Sequence, residues 1–224
     1  MAHGRRIGRI KLIIPSAETA KKYLSVWDGK ELHFHPQTFP NISGSNFFNS
    51  DKPINLEIGC GTGEFLISQA QTNSDKLYIG IDSSKRAICY AVDLARKAAL
   101  DNIHFIFGDF NRMYSYLTPN SIDIAYFHFP DPNYGSKNEK KKIFTTEFLN
   151  ATLPIFIKKG YLSVVTDQIL LIEEFTDVVN INNKFERMHK DNFITSFDPE
   201  TKSRFHKAWE RAARPLYHFK ISPK

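Results

Sequence analysis

From residue 54 onward the chain repeats one pattern, a short apolar run followed by a helical stretch, and few folds accommodate it. The runs at 54–58, 77–81, 103–107, 122–129 and 161–165 are of strand length and nearly continuous in apolar residues, as in strands buried on both faces. Helices are predicted between them over 64–71, 84–100, 110–117, 140–156 and 168–180. In the second of these, Ala87, Ala91, Leu94, Ala95 and Ala98 recur at three- and four-residue spacing, a face that can lie on a sheet. Strands alternating with helices in this way predict an α/β fold, with a mostly parallel sheet covered on both faces. A last strand is predicted near 216–221.

The first 50 residues read differently. They carry Pro15, Pro36, Pro40 and the polar run 41–50 without sustained periodicity, so residues 1–50 are predicted to form a basic N-terminal arm with a short helix around 17–26. Residues 51–224 then form one domain, and a chain of 224 residues leaves little room for a second. No apolar stretch approaches the roughly 18 residues of a membrane span, and Leu12-Ile13-Ile14 is too short for a signal-peptide core. Cys60 and Cys89 lack the paired spacing of zinc or redox motifs. A soluble protein with reduced thiols in the cytoplasm is the expectation.

Charge is concentrated at the ends. Residues 1–22 hold six Lys/Arg and one Glu, residues 201–224 hold seven and one, and the middle is net acidic within a total of +6. Such ends would attract a polyanion, or would simply be solvated.

Chemistry is most clearly written in residues 55–64, Asn-Leu-Glu-Ile-Gly-Cys-Gly-Thr-Gly-Glu. Three glycines follow the first strand and precede a helix, where bare backbone lets a ligand approach the helix N-terminal amides. Gly59, Gly61 and Gly63 alternate, which departs from the dinucleotide fingerprint, whose third glycine falls one residue later. Asp82 ends the second strand, where a carboxylate can accept both ribose hydroxyls of a nucleoside. Asp109 ends the third strand and could face an adenine edge. Either acid could instead cap the following helix. Glu57 interrupts the apolar run of the first strand, a costly place for a carboxylate that meets no ligand or donor. Cys60 reads as a compact filler, since no neighbouring His would activate it. After the fourth strand, Pro130 and Pro132 hold Asp131 rigidly, and a basic run from Lys137 to Lys142 follows; the run could meet phosphates or be a solvated loop.

The alternating glycines resemble the first motif of Rossmann-like methyltransferases. Together with Gly-Ile-Asp82, Phe-Pro-Asp131-Pro, the trailing basic run and Val-Thr-Asp167, they resemble bacterial tRNA (guanine-N7)-methyltransferases over roughly residues 54–222. That resemblance implies a Rossmann-like methyltransferase fold, S-adenosylmethionine as cofactor, and a guanine in the tRNA variable loop as acceptor. It implies Glu57, Gly59, Gly61, Gly63, Asp82 and Asp109 at the cofactor and Asp131 in catalysis. Asp167, Ser203, His206 and Lys137 fall on the substrate side, and no metal is required. The sequence departs from the family at Asn133 and Gly135, where Trp and Lys are usual, and at His206 in place of Glu. Those changes leave open a methyltransferase acting on another purine or a small molecule; a noncatalytic RNA-binding subunit would not need the glycine loop and its acids.

Overall fold

The computed structural model describes residues 10–130, 144–195 and 201–224. Eight strands form one sheet in the order β1-β4-β3-β2-β5-β6-β8-β7. They are β1 (Leu24–Val26), β2 (Ile54–Ile58), β3 (Leu77–Asp82), β4 (Ile103–Phe107), β5 (Ile122–His128), β6 (Phe156–Thr166), β7 (Phe185–Arg187) and β8 (Tyr217–Pro223). Neighbours from β1 to β6 pair parallel, whereas β8 runs antiparallel to both β6 and β7. This is the Rossmann-like α/β arrangement with a mostly parallel sheet.

Strand alternation divides the interior in two. Leu56, Ile79 and Phe127 point to one face and join a core with Phe148, Leu149, Leu171, Ile172 and Phe175 of helices α6 (Thr146–Thr152) and α7 (Ile169–Asn182). Tyr78 and Tyr126 point to the other and meet Leu66, Ala70, Ile88, Ala91 and Val92 of α4 (Glu64–Thr72) and α5 (Lys85–Lys97). Helices on both faces bury both sets of side chains, which is why the strands read as continuous apolar runs.

Residues 10–50 are more integrated than an arm. Helix α1 (Ala17–Tyr23) begins at Ser16, whose hydroxyl accepts from Thr19 N, and packs on α5. β1 adds a parallel edge strand to β4, and Trp27, Leu32 and Ile42 are buried in the core. Short helices α2 (Gly29–Phe34) and α3 (Gly44–Phe48) complete this segment.

Two predicted helices change form. Residues 110–117 make two short 3₁₀ turns, Phe110–Arg112 and Tyr114–Tyr116. Phe110 and Met113, both buried, recur at the three-residue period of that helix type. The segment expected at 140–156 is helical over Thr146–Thr152 and ends in a 3₁₀ turn, Leu153–Ile155; its start lies outside the described residues. A helix absent from the sequence reading, α8 (Arg204–Arg211), precedes β8.

Candidate active site

The carboxyl ends of β2, β3, β4 and β5 open into one cleft of about 380 Å³. Its floor is the glycine loop, and its position follows the rule that open α/β sheets bind ligands beyond their strand ends. Gly59, Gly61 and Gly63 have φ of 73°, 55° and 74°, left-handed values that disfavour side chains. At Gly59 and Gly61 a Cβ would meet nothing within 4 Å, so this backbone faces open space. At Gly63 a Cβ would lie 2.8 Å from Ala91 Cβ, so that glycine serves the packing of α4 on α5.

Asp82 ties the loop to β3. Gly61 N donates to its Oδ2 at 2.8 Å and Ser84 N to its Oδ1 at 2.7 Å, while Gly59 N and Cys60 N donate to Ile81 O. Ser84, not Asp82, caps α5 through its hydroxyl. Asp109 lines the same cleft and also caps the first 3₁₀ turn, its Oδ1 accepting from Asn111 N at 3.1 Å. The two readings open for it in the sequence are therefore compatible.

Glu57 is the electrostatic oddity. It is 3% exposed, and its Oε2 has no hydrogen-bond partner. Burial first, then the charges of Asp82 and Glu64, holds its carboxyl well above the ordinary range. It lines a side pocket of the cleft together with Gly59, Gly61, Thr62, Ser203 and Phe205. Cys60 is buried, and burial followed by Asp82 and Glu57 pushes its thiol well up, as suits a filler rather than a nucleophile.

On the opposite wall, His128 is partly buried, in ring contact with Phe65 and Tyr126, and hydrogen-bonds through Nε2 to Ser163 Oγ at 3.3 Å. Ser163 Oγ in turn lies 3.1 Å from His218 Nε2. Burial, then His218 and His206, pushes the His128 pKa down to about 3, and burial followed by Lys220 does the same to His218. Both rings are neutral near pH 7. Phe129, which follows, has φ of 53°, a strained value for a bulky residue. Its N–H donates to Val165 O at 2.6 Å, and its ring meets Phe205 and the edge of His206.

The substrate-side residues divide. Ser203 lines the side pocket and caps α8, accepting from His206 N at 3.1 Å. His206 is only 2% exposed and sits behind Phe129, its Nε2 3.5 Å from Glu210 Oε1, rather than on the cleft wall. Asp167, just after β6, forms an ion pair with Arg214 at 2.5 Å and also accepts from Gln168 Nε2. Arg214 is stacked on Trp209, 4.1 Å from the ring centroid. Asp131, Asn133, Gly135, Lys137 and the basic run lie outside the described residues. Phe110, His128, Phe129 and Phe205, all at the cleft, were not assigned a site role in the sequence, although Phe129 stands in the Phe-Pro-Asp131-Pro element and Phe205 lies between Ser203 and His206. Among the described residues no group of three or more His, Cys, Asp or Glu could hold a metal ion, and no helix is long and apolar enough to cross a membrane.

The mostly parallel sheet with helices on both faces, and the glycine-floored cleft beyond its strand ends, fit the class of Rossmann-like methyltransferases. Residues 51–219 match a family model described as "Putative methyltransferase". A solved structure described as an antibiotic related methyltransferase superposes with a TM-score of 0.57 at 18% identity, covering 79% of this chain and 90% of the other; it supports the fold. The tRNA (guanine-N(7)-)-methyltransferase of Rubrobacter xylanophilus is 33% identical over 97% of both chains. That of Chloroherpeton thalassium is 31% identical over 96% of both. The chain belongs to the tRNA (guanine-N7)-methyltransferase family.

Proposed function

We propose that this protein transfers a methyl group from S-adenosylmethionine to N7 of a guanine in the variable loop of tRNA. The observation that carries the reading is the cleft, in a chain of this family: a buried Glu57 oxygen without a partner beside a loop whose glycines leave open space. An unpaired buried carboxylate is costly unless a ligand supplies the donor. The ammonium of the cofactor's amino acid end fits that need. Asp82 accepts from Gly61 N and Ser84 N, which fixes its carboxylate at the end of β3, where such an acid can meet ribose hydroxyls. Asp109, at the end of β4, falls at the adenine end.

When bound, S-adenosylmethionine supplies an electrophilic methyl group on a sulfonium. Guanine N7 already carries an in-plane lone pair, so no base is needed, and alignment supplies much of the rate. Positive charge grows on the purine during transfer. Asp131, held between two prolines, stabilises that charge and is the catalytic residue in this reading. Asp167, Ser203, His206 and Lys137 serve the substrate side, with Asp167 fixed by Arg214 and His206 acting from behind Phe129. Residues 51–224 form the catalytic domain, and residues 1–50 are its basic N-terminal extension. A tRNA acceptor places the reaction in the cytoplasm.

The test uses tRNA transcripts made with guanosine or with 7-deazaguanosine, which lacks the acceptor nitrogen. Labelled methyl should pass to the first and not to the second. Equal labelling of both would overturn the assignment to N7.

A further inference from the structure

Phe205 is the exposed aromatic ring in the cleft. It is 45% exposed, sits in the first turn of α8, and lines both the main cleft and the side pocket that holds Glu57. An aromatic ring exposed on the wall of a concave site offers a flat apolar face to a ligand. Its inner neighbour is Phe129, with centroids 6.2 Å apart and planes 28° apart. Phe129 cannot drift. Its left-handed backbone is pinned by Val165, and the His206 ring stands nearly perpendicular to its own. Phe205 thus has a fixed backing on one side and open cleft on the other.

The cofactor acids are spread across the cleft. Asp82 and Asp109 mark the nucleoside end, while Glu57, which shares the side pocket with Phe205, marks the amino acid end; the sulfonium that carries the methyl falls between them, on the side of Phe205 away from adenine. A flat ring next to Phe205 would therefore be the methyl acceptor rather than adenine. The helix behind it is basic: Arg204, Lys207 and Arg211 recur at three- and four-residue spacing, so they form one stripe. Among the described residues no carboxylate pairs with any of the three, whereas Lys202 is engaged by Glu210 at 2.7 Å. An exposed aromatic beside a cationic stripe suits an unstacked nucleotide, whose base stacks and whose phosphates meet the charges.

We propose that Phe205, backed by Phe129, is the stacking platform for the acceptor base, and that Arg204, Lys207 and Arg211 carry the adjoining phosphates along α8. The proposal rests on the reading that tRNA is the acceptor. It makes Phe205 a substrate-contacting residue and α8 the helix along which the RNA enters.

The experiment compares Phe205→Leu and Phe205→Tyr with the parent, using unmodified tRNA and single-turnover methyl transfer. Leu keeps an apolar side chain and removes the ring, so kcat/KM for tRNA should fall by about ten- to a hundredfold. Tyr should restore it, and affinity for S-adenosylmethionine, measured by calorimetry, should be the same in all three. With 2-aminopurine in place of the acceptor guanine, the parent and Phe205→Tyr should quench its fluorescence by stacking, and Phe205→Leu should not. A double Lys207→Gln, Arg211→Gln variant should make the slope of log affinity against log salt shallower by about 1.4 to 1.8. If Phe205→Leu methylates and quenches like the parent, or instead loses cofactor affinity, the platform is overturned while the tRNA reading stands. If the parent itself transfers no methyl to tRNA, both fall.

Discussion

Replacing Glu57 with Gln should stabilise the ligand-free protein while weakening its hold on the cofactor. The side chain is 3% exposed with one oxygen unpartnered, and burial raises its carboxyl well above 4.5. The sign follows from linkage. A carboxyl whose folded pKa is raised favours folding fully below the unfolded value, and that contribution is lost as pH rises toward the folded value. Within this window each pH unit costs about 1.4 kcal/mol. Gln does not titrate, so its advantage over the parent should grow by that amount per unit, or about 3 to 6 °C in Tm for a chain of this size. The loss of a charged hydrogen bond should meanwhile weaken cofactor binding by about 1.5 to 3 kcal/mol. Differential scanning calorimetry of both proteins at pH 5 and pH 6 reads the first effect, since the histidines titrate equally in each, and calorimetric titration reads the second. A variant that melts below the parent, or whose margin is the same at both pH values, would show that Glu57 is internally satisfied and not held for a ligand.

His218, neutral in the fold with its pKa near 3, favours the folded state above pH 6.5 and loses that contribution as pH falls toward 3. His218→Gln should remove up to about 1.4 kcal/mol per unit from the acid slope, seen in urea unfolding at pH 6 and pH 5; parallel slopes would refute it. Gly63→Ala should cost about 2 to 5 kcal/mol, from left-handed strain and the clash with Ala91, whereas Gly61→Ala should cost only about 1 to 2 from strain. Equal melting points for the two would contradict the packing role of Gly63. Asp131→Asn should slow single-turnover transfer by about a hundred- to a thousandfold, or about 2.7 to 4 kcal/mol, with cofactor affinity nearly unchanged; full-rate transfer would remove its electrostatic role.

Much of the central sheet was legible because parallel strands covered on both faces must be apolar throughout. β2 and β4 fall at 54–58 and 103–107 as read, and Asp82 and Asp109 stand at strand ends, where backbone geometry alone puts them at the cleft. β1 and β7, three residues each, were not legible, since such short strands show no period and are defined by their partners β4 and β8. The same reason hid the packing of residues 17–48: Trp27, Leu32 and Ile42 are buried by the sheet edge they cover, not by a pattern of their own. At the site, the glycine loop is local and could be read. Phe129 and Phe205 meet only because α8 folds back over the end of β5, and the inward turn of His206 depends on that contact. Helix α8 itself is mostly charged and polar, so its burial of His206 and its exposure of Phe205 reverse what hydropathy suggests.

The central claim is methyl transfer to guanine N7 of tRNA, and product identity tests it most directly. The protein is incubated with labelled S-adenosylmethionine and tRNA lacking the modification, and the RNA is digested to nucleosides and resolved. The label is expected in 7-methylguanosine alone. Label in any other nucleoside, or none in RNA from a protein that binds the cofactor, would contradict it.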